Sequence, residues 1–406
     1  MAYRLRTVRD LDEFRTALGA IGHYFGWQPA EDEGQRFSKL LPFERMHTVL
    51  DDGSIVAGAG VFPIELTVPG GPVRCAGVTV VGVLPTHRRR GILTRMMNAQ
   101  LEDVRARGEP VAALWASEET IYGRFGYGLA SLENNVKVQR EWAGLRHDLP
   151  EREGRVRLVD HDEAIRAFPP VYERLRPRSV GFLSRSRDWW EYKPLQDRPE
   201  RRFGAGPLNR ALLERDGRPV GYALYRIVQE STPGEWKRNL RVIEAIGVDG
   251  GATRDIWRFL LEIDWTSEIH AHLLPVDHPL QLLVARLNRL RLEVRDALWV
   301  RLIDVHDALA ARRYGDAGRT TVEVVSDPQF SENVGAWTID DGAVRRGRRR
   351  PDVRVDVQAL ASAYLGGFTF TQLARAGRAE EASRGGLARA DAVFRTDAAP
   401  WCPEIF

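Results

Sequence analysis

The spacing of apolar residues changes period several times between Val78 and Tyr127, and each change marks an element. Residues 78–84 are β-branched and almost wholly apolar, as in a strand buried on both faces. Pro85 ends it, since proline has no N–H to give a ladder. Ile92, Leu93, Met96, Met97, Leu101 and Val104 then recur at helical spacing, and residues 110–115 form a second apolar strand. Upstream, residues 11–18 read as a helix and residues 48–59 as a hairpin turning at Asp52-Gly53. Residues 65–68 and 74–83 continue the sheet around Pro69-Gly70-Gly71-Pro72, and residues 135–140 alternate as a further strand. Antiparallel strands running into strand–helix–strand predict an α/β domain over residues 1–150.

Residues 150–154 read as a linker, and the plan then repeats in weaker form. A strand at 155–159 precedes a helix at 164–175, which Pro169-Pro170 should break. A hairpin over 211–225 turns at Asp216-Gly217, a strand covers 240–248, and a helix at 253–263 carries Ile256, Phe259, Leu260 and Ile263 on one side. From residue 299 the pattern changes to a short helix at 305–311, strands at 322–325, 336–340 and 353–357, and helices at 360–365, 371–375 and 387–394. Strands first and helices later predict a small α+β domain. Divisions at 1–150, 151–298 and 299–406 suit 406 residues, too many for one core.

The first strand–helix turn carries Arg88-Arg89-Arg90-Gly91. Guanidinium groups, unpaired helix N–H groups and the positive end of the helix dipole meet there, and glycine permits close approach, which suits a pyrophosphate. Alone, such a cluster is more readily a solvated basic helix end. The second copy has Asp249-Gly250-Gly251-Ala252-Thr253-Arg254 at the matching turn, where the aspartate would repel phosphate.

Three blocks in order carry a resemblance. They are Pro85-Thr86-His87-Arg88-Arg89-Arg90-Gly91-Ile92-Leu93, Ala112-Ala113-Leu114-Trp115-Ala116-Ser117-Glu118 and Ile121-Tyr122-Gly123-Arg124-Phe125-Gly126-Tyr127-Gly128. Together they resemble the enhanced intracellular survival (Eis) acetyltransferases of actinobacteria. The first also resembles the acetyl-coenzyme A motif of GCN5-related N-acetyltransferases, Arg/Gln-x-x-Gly-x-Gly/Ala: Arg88 and Gly91 fill the first and fourth places, and Leu93 stands in the sixth. The likeness spans nearly the whole chain. It implies tandem GCN5-related acetyltransferase folds, the second degenerate and without coenzyme A, followed by a sterol-carrier-like C-terminal domain.

Acetyl transfer from a thioester to an amine requires the thioester held, its carbonyl polarised, the ammonium deprotonated and the thiolate protonated. By resemblance, Arg89, Arg90 and Gly91, with Ile92, Leu93 and Thr94 at the helix start, hold the pyrophosphate of acetyl-CoA. Val81, Gly82 and Val83 meet the carbonyl, and Ser117 and Glu118 line the cofactor cleft. On the residues alone, Gly82 permits a strand bulge or serves close packing, and Ser117 or Glu118 could cap the next helical turn. Tyr122 is the expected acid, because a phenol of pKa about 10 stays protonated and can donate to a thiolate. Tyr127 competes with it on composition alone.

The ending at residues 398–406 is apolar, whereas chain ends are normally polar and frayed. Burial would carry the α-carboxylate of Phe406 into low dielectric, where it needs partners or a task. In the resembling family the terminal carboxylate is the base. An intrinsic pKa of about 3.5 is low for that, so burial or a relaying water must help. Docking without catalysis is the other reading of the tail.

The implied acceptors are small amines: aminoglycosides, polyamines or lysine side chains, drawn by an acidic pocket. The expected rim, residues 23–29, is aromatic rather than acidic, although Glu31-Asp32-Glu33 follows. Glu404 stands one place earlier than the relatives would suggest. The resemblance also implies a homo-oligomer, a hexamer.

Composition narrows the remaining classes. A net charge of +3 makes the whole molecule no polyanion binder, and only four of its 59 basic residues are lysines, a bias spread along the chain. The run Arg345-Arg346-Gly347-Arg348-Arg349-Arg350 follows Asp340-Asp341-Gly342 and lacks interleaved aromatics, so it reads as a charged hairpin strand and no nucleic-acid partner is expected. Cys75 and Cys402 supply neither a disulfide framework nor a zinc pattern, and no metal is expected. No apolar run is long enough to span a bilayer, and the opening residues lack a signal-peptide core, so a cytoplasmic location without membrane partners is expected. The alternative class is a lipid or hydrophobic-ligand binding protein using an apolar cavity of the C-terminal domain.

Overall fold

A computed structural model describes residues 3–24, 26, 29–232, 235–315 and 318–406, the side chains of Tyr24, Ser231, Thr232, Glu235 and Trp236 excepted. In chain order the first elements are β1 (Arg4–Thr7), α1 (Leu11–Tyr24), α2 (Glu33–Phe37), β2 (Met46–Asp51), β3 (Ser54–Val68), β4 (Gly71–Val83), α3 (Ile92–Ala106), β5 (Val111–Trp115), α4 (Glu119–Tyr122) and β6 (Gly128–Leu129). Then come β7 (Leu132–Gln139), β8 (Arg155–Leu158), α5 (His161–Leu175), α6 (Arg187–Tyr192), β9 (Asn209–Arg215), β10 (Arg218–Thr232), β11 (Glu235–Gly247), α7 (Gly250–Glu262), β12 (Glu268–Pro275), α8 (Leu280–Leu283) and β13 (Arg291–Asp296). The chain ends with β14 (Leu298–Leu302), α9 (Val305–Ala310), β15 (Thr320–Ser326), β16 (Gly335–Asp340), β17 (Ala343–Gly347), β18 (Val353–Asp356), α10 (Val357–Tyr364), α11 (Phe370–Arg375), β19 (Ala379–Glu381) and α12 (Gly386–Phe394).

These form two compact units. Unit 1 joins Met1–Ser131 with Ala297–Pro400 and Ile405–Phe406, and unit 2 joins Leu132–Asp296 with Trp401–Glu404. The unit edges in the body of the chain fall at 131/132 and 296/297, and residues 150–154 lie within unit 2. The strand expected at 135–140 is β7, and it belongs to the second sheet rather than the first.

Unit 1 contains a seven-stranded sheet ordered β1-β2-β3-β4-β5-β14-β6 and a five-stranded sheet ordered β17-β16-β15-β18-β19. Helix α3 buries Ile92, Met96, Met97, Leu101 and Val104, each apolar side chain contributing about 1.5–3 kcal/mol. The C-terminal part packs on the first sheet within this unit. Gln358 Nε2 donates to Gly123 O at 2.5 Å, and Arg301 of β14 pairs with Asp327 at 2.6 Å, both side chains fully buried. In the expected β16–β17 hairpin, Arg346 Nη2 donates to Val334 O at 2.6 Å and its guanidinium lies over the Trp337 ring.

Unit 2 is a sheet ordered β13-β7-β12-β11-β10-β9-β8. Its central hairpin repeats that of unit 1 in length: β3 and β10 have 15 residues each, β4 and β11 have 13 each. Helix α5 runs through Pro169 and Pro170, where a break was expected. Phe168, Val171 and Tyr172 on either side are fully buried, and that packing outweighs the hydrogen bonds the prolines cannot make.

The Asp327 carboxylate also accepts from Gln329 N, Phe330 N and Asn333 Nδ2, each at 2.9 Å. Burial pushes its pKa up, but Arg301, the Phe330 N–H and Asn333 outweigh burial and keep it below the ordinary value. Its stabilisation is therefore complete above the unfolded aspartate pKa of about 3.9 and is lost as pH falls through the lower folded value. Replacing Asp327 by Asn should cost about 3–5 kcal/mol at neutral pH in urea unfolding. The variant's stability should also change less than the parent's as the solution is acidified below about pH 4.

Candidate active site

β4 and β5 run parallel for three pairs, Cys75↔Val111, Ala76↔Ala112 and Gly77↔Ala113, and then part. On its far side β5 stays paired to β14 through Leu114 and Trp115. On β4 the register slips: Gly58 faces Gly82 and Gly60 faces Thr79, so Val80 and Val81 share the space opposite Ala59. Val80 takes φ of +45°, uncommon for a β-branched residue. The bulge associated with Gly82 in the sequence thus lies at Val80–Val81. Gly82 itself pairs regularly, and a Cβ on it would stand 3.2 Å from Ile21 Cα, so its glycine serves close packing of α1. An extra residue leaves the ladder unpaired and frees main-chain groups beside the opening.

The basic turn lies between β4 and α3. Gly91 occupies the N-cap position with φ of +75°, no side chain caps the helix, and a Cβ on Gly91 would meet nothing within 4 Å. Arg89 is also left-handed, with φ of +61°. Arg88, Arg89, Arg90, Gly91 and Thr94 are exposed, Leu93 is half-buried and Ile92 buried. Two braces escaped the sequence reading. Arg90 Nη1 donates to Tyr3 Oη at 3.0 Å and Arg95 Nη1 to Tyr3 O at 2.8 Å. His87 lies with Nε2 3.2 Å from Asp51 Oδ2 and Nδ1 2.8 Å from Thr86 Oγ1. Only the register of β1 and β2 brings Tyr3 and Asp51 here, and no local pattern announces it.

The matching turn of unit 2 is built oppositely. Asp249 caps α7, accepting from Ala252 N at 2.7 Å, and pairs with Arg215 at 3.1 Å. Burial would raise its pKa, but the Ala252 N–H and Arg215 prevail and keep it low. A carboxylate of the chain itself occupies the helix start.

Past β5, Ser117 and Glu118 are exposed. Glu118 stands at the N-cap of α4 without capping it, its carboxylate taking the Thr120 hydroxyl at 3.1 Å instead. Tyr122 is buried in the cluster of Phe125 and Tyr127, its ring edge-on to Tyr127 at 6.0 Å. Tyr127 is fully buried, its hydroxyl has no hydrogen-bond partner among the described residues, and burial drives its pKa far up.

Phe406 is buried in unit 1. Its Cε2 lies 3.2 Å from where a Cβ on Gly77 would stand, at the last rung before the strands part. The Phe406 ring thus stands at the head of the opening. Of the expected acceptor rim, Phe25, Trp27, Gln28 and the Tyr24 side chain lie outside the described residues. Glu404 belongs to unit 2 and is engaged there by Arg185 and Trp189. Among the described residues, one group of possible metal ligands, Asp304, His306 and Asp307, lies close together; Asp304 caps α9 and the other two are exposed. No described helix is long and apolar enough to cross a membrane.

Strands parting beside a bulge, with a basic uncapped helix start at their end, define an acetyltransferase of the GCN5-related fold. Acetyltransferase (GNAT) domain families match residues 4–130 and 181–302, and the sterol carrier protein domain matches 305–403. An uncharacterized N-acetyltransferase of Streptomyces coelicolor is 38% identical over 406 residues, covering 97% of this chain and 98% of that protein. N-acetyltransferase Eis of Mycobacterium tuberculosis is 35% identical over 375 residues, 88% of each chain. A crystal structure of an Eis protein from Mycobacterium abscessus superposes with a TM-score of 0.86 at 33% identity, covering 99% of this chain and 100% of that one. A GCN5-related N-acetyltransferase from Anabaena variabilis, at 19% identity and a TM-score of 0.85, shares the fold. The chain belongs to the Eis-like family of GCN5-related N-acetyltransferases, which move acetyl from acetyl-CoA to an amine.

Gly77 carries a direct test of where the chain end sits. A larger side chain there would meet Ile64 Cδ1 at 2.9 Å as well as the Phe406 ring. Gly77→Val should cost about 1–3 kcal/mol by overpacking and should make Phe406 easier to remove with carboxypeptidase, read by mass spectrometry.

Proposed function

We propose that the amine attacks the acetyl thioester directly in a ternary complex, with Tyr122 as acid and the Phe406 carboxylate as base. The single observation that carries this reading is the seating of Phe406 at Gly77, where β4 and β5 part. Arg89, Arg90 and Gly91, with the N–H groups of Ile92, Leu93 and Thr94, would hold the pyrophosphate. The fit rests on an exposed helix start that no side chain caps and a glycine with open space over its Cα. Main-chain groups freed at Val80–Val81, beside Gly82 and Val83, would polarise the carbonyl. Ser117 and Glu118 would line the cleft past β5.

In this scheme the ammonium loses a proton to Phe406, the nitrogen forms a bond to the carbonyl carbon, and the carbon–sulfur bond breaks. The departing thiolate takes the Tyr122 hydroxyl proton, the second proton lost by the acylated nitrogen restores the Tyr122 phenol, and Phe406 passes its proton to solvent. The second acetyltransferase fold serves as scaffold, because Asp249 already fills its helix start. The acceptor is a small amine, an aminoglycoside or polyamine, or a lysine side chain. The protein works in the cytoplasm as a homo-oligomer, a hexamer as the Eis resemblance implies.

A lipid-carrier role has weaker support. A recess of about 380 Å³ in the C-terminal part is lined by Phe368, Phe394 and Asp391 among others. Asp391 is already spent on α11, accepting from Phe370 N and Thr371 Oγ1, both at 2.5 Å.

Arg90→Glu should weaken acetyl-CoA binding by at least about tenfold in calorimetry, the scale of one charge-assisted phosphate contact, with the melting temperature nearly unchanged. Unchanged affinity would remove the turn from the site.

A chain extended by one glycine after Phe406 moves the carboxylate by about 3.5 Å, out of hydrogen-bond reach. Turnover should then fall by roughly a hundredfold or more while acetyl-CoA still binds. The assay is best run across aminoglycosides, polyamines and lysine peptides. Full activity in the extended chain would refute the role of Phe406, and no turnover of any amine by the parent would refute the acceptor class.

A further inference from the structure

The strands of unit 2 part as those of unit 1 do, but here the chain itself fills the gap. β11 and β12 run parallel from Asn239↔Glu268 to Val242↔Ala271, and past that rung neither has a strand neighbour on that side among the described residues. The segment Trp401–Glu404, part of the same unit, meets β12 directly and β11 through one arginine. The Trp401 indole Nε1 donates at 2.5 Å to Leu273 O, two residues past the last rung on β12. Glu404 Oε2 accepts from Arg185 Nε at 3.0 Å, and Arg185 Nη2 donates at 2.6 Å to Glu244, two residues past the last rung on β11.

The indole also touches both faces of the sheet. Alternate residues of β9 and β10 divide between two cores, Ala211, Leu213 and Ala223 facing α7 and Leu212, Tyr222 and Leu224 facing α5. The Trp401 ring lies 5.1 Å from Phe182 of the α5 core. It lies 6.3 Å from His278, whose ring is 5.2 Å from Trp257 of the α7 core. A side chain in reach of both cores passes through the sheet where its strands have parted. The rest of the segment is received as closely. Trp401 N donates to Val180 O at 2.7 Å, a Cβ on Gly181 would stand 2.6 Å from Trp401 O, and Trp189 Nε1 donates to Glu404 Oε2 at 2.7 Å. With Asp249 on the helix start and the indole in the gap, both places a phosphorylated thioester would need are taken.

We propose that the gap between β11 and β12 is a peptide-binding cleft, selective for an indole followed three residues later by a carboxylate. Trp401–Glu404 is its resident ligand, a strap that leaves and re-enters while the unit stays folded. The proposal stands on unit 2 alone and holds whether or not Phe406 acts as base.

Two measurements on the full chain test it. Cys402 is buried within the segment, its Sγ donating to Glu404 O at 3.1 Å, so its alkylation, mapped by peptide mass, reports departure of the strap. Between zero and 1 M urea the parent's alkylation rate should change by less than about threefold, because so short an opening exposes little surface. A steeper rise means that the segment leaves only when the unit unfolds, and it overturns the proposal.

The second measurement uses Trp401→Ala, which takes the indole out of the gap. In calorimetry this variant should bind a capped peptide of residues 401–404 with Kd below about 1 mM. The parent should bind it at least about tenfold more weakly, since its tethered segment competes at high effective concentration. Peptides with alanine for the tryptophan or for the glutamate should also lose at least about tenfold. If the variant instead binds acetylated pantetheine in place of the peptide, the gap is a plugged thioester cleft and the proposal falls. It falls as well if the variant binds neither. Should Trp401→Ala not fold, the urea measurement on the parent still decides.

Discussion

The loss of pairing between β4 and β5 after three rungs governs the first unit's site. Main-chain donors and acceptors rarely go without partners, and past Gly77 neither strand has a strand neighbour on that side among the described residues. A gap of this kind is stable only if the flanking strands are rigid without it. β3 supplies that on one side through paired residues on both flanks of the bulge, and β14 on the other through five pairs with β5. The left-handed Val80 costs on the order of 1–3 kcal/mol, and the surroundings leave it little choice. Gly58 and Gly60 flank the residue facing it, and a Cβ on them would stand 2.7 Å from Ile21 Cδ1 and 2.3 Å from Leu41 Cδ1. Close packing beneath the bulge thus fixes the shape of the opening above it.

The two copies of the fold show what separates a site from a scaffold. Their long hairpins agree in length, and both carry an irregular rung in the second strand, at Val80–Val81 and near Ile243. They differ at the helix start. Every α-helix begins with N–H groups that lack intrahelical partners. Unit 2 satisfies them internally with Asp249, and unit 1 leaves them to solvent or ligand behind Gly91. Placing arginines on one turn and an aspartate on the other gives the same backbone opposite charge at the two helix starts.

Much of this was legible in the chain because it is local. The turns Asp52-Gly53, Asp216-Gly217 and Asp341-Gly342 all take positive φ at both residues, as two-residue hairpins with right-handed twist require. Helix periodicity located α3 and α7, and the Arg-Gly and Asp-Gly-Gly turns told the copies apart. What escaped depends on distant partners. Alternation marks β7 as a strand but cannot say which sheet receives it, because its pairing is decided by registers more than a hundred residues apart. The position of the bulge, the passage of α5 through two prolines and the pairing of Tyr3 with Arg90 have the same origin.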